Sequence, residues 1–319
     1  MLRLGLSATL LLAVLALVPL GEVAAVLGRV DPWLAAAGFA LVIPKLLASG
    51  LRMLALVRIQ GLRVGLGGLI ALNLATSFYA LFLPGHLAAG ALRWYRLARA
   101  EGRPAAALAV VGFSRLIELE VTLALGLTFW AFDAQARALH AWPALLAALA
   151  LAACLGAHLA GPMLAERLPE RGLRLGDRLA RLSTALAAAR AVLARFGGLS
   201  WRAQASAVGY SALTQVLGIL TALLFAWALG SEISVAALVW VRSLMAVALL
   251  LPVGWAGVGV REVSLALLLT PFGVPAAEAL ALGILLSLRA LLAGAMGGVV
   301  EAFGLVRLPP APATTATVG

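Results

Sequence analysis

The chain has 319 residues, of which 64% are hydrophobic and only 12% charged, and its formal net charge at pH 7 is +11. This composition excludes a soluble globular protein, because a soluble fold needs more charged residues to cover its exterior. It also argues against a nucleic-acid-binding protein, since the arginines lie in short stretches between apolar segments, as in the cytoplasmic loops of membrane proteins.

Six apolar segments are long enough to cross a membrane as helices, which takes about 20 residues. They comprise residues 4–27, 33–51, 104–132, 141–161, 205–229 and 276–304. The first is expected to be a retained transmembrane helix and not a cleaved signal peptide, because its apolar run is too long. Within the membrane domain of residues 1–307, residues 163–202 are expected to form a cytoplasmic amphipathic linker, and residues 308–319 a disordered tail.

Two further apolar segments, residues 65–99 and 234–271, contain similar interruptions. In each copy a Leu-Pro pair closes an apolar stretch, small residues follow, and an arginine stands nine positions after the proline. Each copy continues through a Gly-x-Pro-Ala-Ala start into a long apolar helix, so the copies cover residues 65–132 and 234–304. Paired broken segments are typical of a transporter-type binding site. The helix-breaking residues are Pro84, Gly85 and Gly90 in the first copy and Pro252, Gly254, Gly257 and Gly259 in the second.

The arginine-rich stretches assign the two sides of the membrane. Residues 52–63 and 93–103 both hold arginines, which predicts that the first broken segment enters and leaves on the cytoplasmic face. Three full spans separate it from the second, which must then face the opposite way. The predicted fold is an all-α helix bundle in the inner membrane, with six full spans, two re-entrant segments in inverted repeat and both termini in the cytoplasm. Eight simple spans are the alternative, since apolar arms of about 18 residues can cross a bilayer.

Charged side chains inside these segments are the candidate functional residues, because an arginine or acid at the centre of a membrane helix costs about 2.5–3.5 kcal/mol. Arg93 and Arg261 follow the two breaks, and Arg289 lies in the middle of the last long helix. The planar donor fork of arginine suits phosphate. These three arginines are therefore predicted to bind a lipid headgroup.

Three more charged residues, Glu262, Glu118 and Arg115, are predicted to act as charge partners or to relay protons. Arg115 and Glu118 stand three residues apart, so they can pair on one helix face. Arg261 and Glu262 are adjacent and are expected to have different partners, because adjacent residues do not face each other on a helix. Lys45 is expected to extend to the membrane interface, where its charge stays in water.

The residues around both breaks resemble the signature regions of a known family. Phe82-Leu83-Pro84-Gly85 followed by Gly90 and Arg93, and the run from Gly257 to Glu262, are similar to the lysylphosphatidylglycerol synthase transmembrane region, or flippase-like, family. In full-length synthases a soluble aminoacyl-transferring domain follows the membrane part, which is thought to move the product lipid between leaflets. Because this chain stops shortly after Arg307, the resemblance implies the translocating part without the synthetic activity.

The sequence thus predicts a membrane protein that binds an anionic lipid or lipid-linked precursor and flips it between leaflets. The alternative is a lipid-binding membrane subunit that serves a separate lipid-modifying transferase and does not transport. The expected partners are membrane lipids and, in the alternative, a lipid-biosynthesis enzyme. The sequence has no Walker-type phosphate loop, no nucleophile elbow and no metal-ligand spacing, so neither an enzyme nor a metal or cofactor is predicted.

Overall fold

The computed structural model describes residues 20–82, 86–139, 141–167, 190, 194–195, 201–248, 260–306 and 308, and this part of the chain is helical. Predictions that fall elsewhere lie outside the described residues. They concern residues 4–19 of the first span, the break residues Pro84, Gly85, Pro252, Gly254, Gly257 and Gly259, most of the linker 163–202 and the tail from residue 309.

Twelve α-helices are described, and within each of the two copies they follow the same order. A short helix, the first arm, is followed by a second arm and then by a long helix. In order they are α1 (Leu20–Leu27), α2 (Pro32–Ala40), α3 (Val42–Ile59), α4 (Leu66–Ala80), α5 (His86–Glu101), α6 (Pro104–Phe132), α7 (Ala134–Leu139), α8 (Ala141–Arg167), α9 (Trp201–Ala228), α10 (Val235–Ala248), α11 (Val260–Leu269) and α12 (Ala276–Ala302).

Four described stretches have the length and hydropathy to cross a membrane. They are Pro32–Ile59 in α2 and α3, Ala141–Ala160 in α8, Trp201–Ala228 in α9 and Ala276–Ala302 in α12. Helix α6 is also long enough, with 29 residues, but it carries Arg115, Glu118 and Glu120 near its middle. The arms α4 and α10 are apolar and shorter, with 15 and 14 residues. The described part of the chain has the fold of an all-helical membrane protein.

The second predicted span is longer than the sequence indicated. The chain enters α2 through Asp31, whose carboxylate accepts hydrogen bonds from the N–H groups of Trp33 (2.8 Å) and Leu34 (3.0 Å). The predicted end at residue 51 is wrong, because α3 continues to Ile59. Arg52, predicted to lie in the cytoplasmic stretch 52–63, is buried within the bundle, where it pairs with Glu118.

One predicted break residue, Gly90, lies inside a helix. Helix α5 begins at His86 and runs through Gly90 without interruption, and a Cβ at this glycine would meet nothing within 4 Å. The prediction that Gly90 breaks the helix is wrong. A single glycine lowers helix stability by about 1 kcal/mol relative to alanine, which a packed helix tolerates.

The arms and long helices of the two copies pack in a reciprocal way. Arm α4 of the first copy packs against α12, the long helix of the second, and arm α10 of the second packs against α6, the long helix of the first. The second arm of each copy, α5 or α11, packs against its own long helix. Each copy therefore lends one arm to the other.

A glycine permits each of these crossed contacts. A Cβ at Gly126 of α6 would clash with Ser243 of α10, and a Cβ at Gly297 of α12 would clash with the backbone carbonyl of Leu74 in α4. Gly126 stands 22 residues after Pro104, and Gly297 stands 22 residues after Pro275, the prolines that begin the two long helices. Small residues let helices approach closely in membranes, where packing drives association.

Candidate functional site

Basic side chains from six helices meet in the interior of the bundle, each within electrostatic range of at least one other charged member. We call this set the central cation cluster. Its seven cations are Lys45, Arg52, Arg93, Arg115, Arg242, Arg261 and Arg289, and the carboxylates that act on them are Glu118 and Glu262. The structure thus brings together all six charged residues that the sequence singled out, and adds three more.

In the first half of the cluster, around Glu118, a single carboxylate is bound by two arginines. Glu118 Oε2 lies 3.2 Å from Arg52 Nη2 and 3.3 Å from Arg115 Nη1. The predicted pair of Arg115 and Glu118 is confirmed. Arg52 also donates from Nη1 to the Ser211 hydroxyl at 3.3 Å, which ties α3 to both α6 and α9. Glu118 therefore holds two guanidinium groups in place.

In the second copy, a hydroxyl group links the arginine and the acid. Arg261 Nη1 donates to Ser287 Oγ at 3.3 Å, and the same hydroxyl donates to Glu262 Oε1 at 2.5 Å. The expectation that Arg261 and Glu262 have different partners is wrong at this point. The long guanidinium side chain reaches toward the face of its neighbour, where Gly283 of α12 leaves room for Glu262.

Lys45 lies in the interior, and its predicted extension to the interface is wrong. Gly218 of α9 leaves a notch, and a Cβ there would lie 3.0 Å from Lys45 Nζ and 2.9 Å from Arg242 Nη2. The two cationic groups are therefore within about 6 Å of each other, a distance at which like charges repel appreciably in a medium of low dielectric. The charges of Arg289 and Glu118 also act on Lys45, which connects the two halves of the cluster.

Several polar side-chain atoms, three of them in arginines of the cluster, are buried without a hydrogen-bond partner among the described residues. A buried donor left unpaired costs about 1–3 kcal/mol, so such atoms point to a ligand or to water. The unpaired atoms include Nε of Arg52, Arg93 and Arg289, the side-chain amide of Asn73 and the hydroxyl of Ser114. Within the described part of the chain, Arg289 makes no ion pair.

The two copies differ in charge at an equivalent position. Counted from the prolines that begin the long helices, Glu118 stands 14 residues after Pro104, and Arg289 stands 14 residues after Pro275. The register therefore matches Arg289 with an acid and not with Arg115. An acid in one copy is replaced by a base in the other, which increases the positive excess of the cluster.

The cluster is open toward one side of α6. The side chain of Arg115 is 43% exposed and that of Glu118 is 31% exposed, while the side chain of Arg52 is 4% exposed. A ligand can therefore approach past Arg115 and meet the deeper cations behind it.

A separate polar pair lies elsewhere on α6. Glu120 stands two positions from Glu118 and so points to a different part of the helix surface. Its Oε2 lies 3.0 Å from His158 Nδ1 of α8, and both side chains are less than 10% exposed. No sequence pattern pairs these two residues, because they lie 38 positions apart and α8 is a nearly uniform apolar segment.

Arg52 and Arg242 were missed as site residues at the sequence level. Arg242 stands in the middle of an apolar helix of 14 residues, which is the same signal that identified Arg289. Arg52 follows a long apolar run and resembles a residue of a topogenic loop. No group of three histidine, cysteine, aspartate or glutamate side chains in the described residues has the arrangement of a metal site.

One comparison with known proteins found a match. The family model described as the lysylphosphatidylglycerol synthase TM region matches residues 1–298, which is most of the chain. The comparisons with curated proteins and with solved structures gave no match.

Proposed function

Because the chain belongs to the lysylphosphatidylglycerol synthase transmembrane-region family, we propose that it binds the anionic headgroup of a membrane lipid in the central cation cluster and moves that lipid between leaflets. Arg93, Arg261 and Arg289 contact the headgroup phosphate, with Lys45 and Arg242 beside them. Glu118 and Glu262 hold the arginines when no lipid is bound.

The excess of positive charge in the central cation cluster carries this proposal. At their ordinary charges, the seven cations and two carboxylates of the cluster sum to +5. Each uncompensated charge at the depth of the membrane is expensive, about 2.5–3.5 kcal/mol on insertion scales. A phosphate group supplies both negative charge and hydrogen-bond acceptors for the unpaired guanidinium nitrogens. Arginine binds phosphate through two parallel N–H donors of its planar guanidinium group.

The reciprocal packing of the two copies supports an inverted repeat with two re-entrant segments. In such transporters the site lies between the repeats, and one repeat moves against the other to expose the site to each side in turn. Here Arg93 follows the first break and Arg261 the second, so each copy contributes a guanidinium group. The backbone in such breaks must be buried in protein or line a cavity, since lipid cannot satisfy its polar groups.

The exchange of partners gives the lipid a way to bind and leave. Glu118 pairs with Arg52 and Arg115, and Ser287 joins Arg261 to Glu262. A phosphate that arrives competes with these acids for the guanidinium groups, and the acids recover them when the phosphate departs. The acyl chains stay in the bilayer while the headgroup enters the cluster past the exposed side chain of Arg115.

Leaflet transfer in proteoliposomes tests the proposal. We expect the purified protein to move fluorescent phosphatidylglycerol faster than empty liposomes do, and to move phosphatidylcholine less. Arg93→Ala and Arg261→Ala should each abolish this transfer. Arg58→Ala is the matched control, because Arg58 is an exposed arginine of α3 outside the cluster. Anionic lipid that binds without any transfer would instead support the lipid-binding subunit.

A further inference from the structure

A cleft of about 690 Å³ lies at one end of the bundle, outside the central cation cluster. Its walls come from α4, α5 and the end of α12, so residues of both copies line it. The residues that line it include Tyr79, Arg96, Arg99 and Glu301, together with the apolar side chain of Leu92 and the aromatic ring of Tyr95. At the sequence level, these arginines had no role beyond marking one side of the membrane.

One side of the cleft is an ion pair that joins the two copies. Arg96 donates from Nη1 and Nη2 to the two carboxylate oxygens of Glu301, at 2.8 and 2.7 Å. The Tyr79 hydroxyl donates to Glu301 Oε1 at 3.2 Å, and the Arg96 guanidinium lies 5.1 Å from the centre of the Tyr79 ring. Glu301 thus accepts from the two donors of Arg96 that would otherwise bind a phosphate in a bidentate manner.

Arg99 lies beside this pair, and its guanidinium group is free to bind an anion. It is exposed, and within the described part of the chain it makes no ion pair or side-chain hydrogen bond. It stands three residues after Arg96 on α5, and residues at that spacing are neighbours on a helix surface. A phosphate bound to Arg99 is therefore close enough to compete with Glu301 for Arg96.

The same helix leads from the cleft to the central cation cluster. Arg93, Arg96 and Arg99 follow each other at three-residue steps, so adjacent side chains are separated by about 4.5 Å along the helix axis. Arg93 is the innermost of them, with a buried Nε that has no described hydrogen-bond partner. A phosphate can move from one guanidinium group to the next over this distance.

We propose that the cleft is a second binding site for the phosphate of a lipid headgroup, from which the phosphate displaces Glu301 on Arg96 and passes along α5 to Arg93. This rests on the proposed function, and adds a site at which the lipid is first captured. Leu92 and Tyr95 line the same cleft and contact the apolar part of the lipid. Free phosphate shares the chemistry of the guanidinium contacts but lacks this apolar part.

Calorimetric titration of the purified full chain in detergent tests the site, with dihexanoylphosphatidic acid as the probe. We expect two classes of site in the wild type. Arg261→Ala should retain only the cleft. In that background, Arg99→Gln should weaken the remaining binding about tenfold, and Glu301→Gln, which frees Arg96, should strengthen it about tenfold. Arg58→Gln is the control and should leave binding unchanged.

The outcomes separate this site from the proposed function. If Arg99→Gln and Glu301→Gln both leave binding unchanged while Arg261→Ala still abolishes leaflet transfer, the cleft proposal is wrong and the proposed function stands. Binding of inorganic phosphate as tight as that of the lipid would overturn the assignment to a lipid. Glu301→Gln removes a contact between α5 and α12, and a fold defect in this variant would also change binding. Arg99→Gln leaves that contact intact, so its effect on binding tests the cleft independently.

Discussion

The two halves of the central cation cluster compensate their charges in different ways. In the first half, Glu118 contacts both Arg52 and Arg115 directly. In the second half, Ser287 lies between Arg261 and Glu262, and Arg289 makes no ion pair among the described residues. Although the helices of the two copies correspond and both halves hold more cations than acids, the acid of the first half contacts two arginines directly, whereas a hydroxyl group lies between arginine and acid in the second.

This difference arises at one equivalent position, where the first copy has Glu118 and the second has Arg289. Two identical copies would have given two equal sites and no preference between them. With the acid replaced by a base, the second half is expected to bind an anion more tightly. The first half is expected to release it more easily, because Glu118 can take back its arginines.

Truncation of Arg289 is expected to have the largest effect on this asymmetry. Arg289→Ala should weaken the binding of dihexanoylphosphatidic acid about 30-fold or more, as expected when a buried charged contact is lost. Arg115→Ala, which truncates an exposed arginine of the first half, should weaken binding no more than about fivefold. Calorimetric titration of both variants measures the difference. Equal losses would mean that the two halves contribute equally and would contradict the comparison.

The junction between the halves can be tested at Gly218. Gly218→Ala should weaken lipid binding about tenfold, because the added methyl group must displace Lys45 Nζ and Arg242 Nη2 from their notch. Gly209→Ala is a matched control on the same helix, since a Cβ there would meet nothing within 4 Å. The control should keep its affinity and gain thermal stability, as alanine favours a helix. A similar loss in both variants would show that α9 itself, and not the notch, is sensitive.

The hydroxyl of Ser287 is expected to have a smaller effect. Ser287→Ala should weaken lipid binding about fivefold, because Arg261 then pairs directly with Glu262 and is less available to phosphate. Ser287→Thr retains the hydroxyl and should bind as the wild type does. Addition of Glu262→Gln to Ser287→Ala should restore the affinity. If it does not, the hydroxyl acts on the structure and not on the availability of Arg261.

Much of the fold was predictable from the sequence because hydropathy decides it. Apolar runs and their flanking charges identified the long helices, and the repeated Gly-x-Pro-Ala-Ala start located α6 and α12. The end of α3 was not predictable in this way. Whether Arg52 begins a loop or continues a helix depends on Glu118 and Ser211, which are 66 and 159 residues away.

Contacts between residues far apart in the sequence also limit how much of the candidate site could be predicted. The six charged residues chosen for their cost in a membrane lie in one cluster, and their role in lipid binding stays a prediction. The position of Lys45 could not be predicted, because a lysine beside a proline is compatible with either the interface or the interior. Its position depends on Gly218, a residue of another helix that shows no distinguishing pattern in the sequence. Arg242 could have been predicted from the sequence. Like Arg289, it is a charged residue in the middle of an apolar helix, and the same criterion applied to every apolar segment would have identified it.

The smallest effect on lipid binding is expected at the pair of Glu120 and His158, which lies on a different part of α6 from Glu118. His158→Leu should change the affinity for dihexanoylphosphatidic acid less than about twofold. It should nevertheless lower the melting temperature by about 5 °C or more, because it leaves a buried carboxylate without its partner. The double variant His158→Leu with Glu120→Leu should recover most of the stability, since apolar residues can replace a buried polar pair. A loss of lipid affinity in the stable double variant would place this pair in the binding machinery, and the cluster would then extend to both sides of α6.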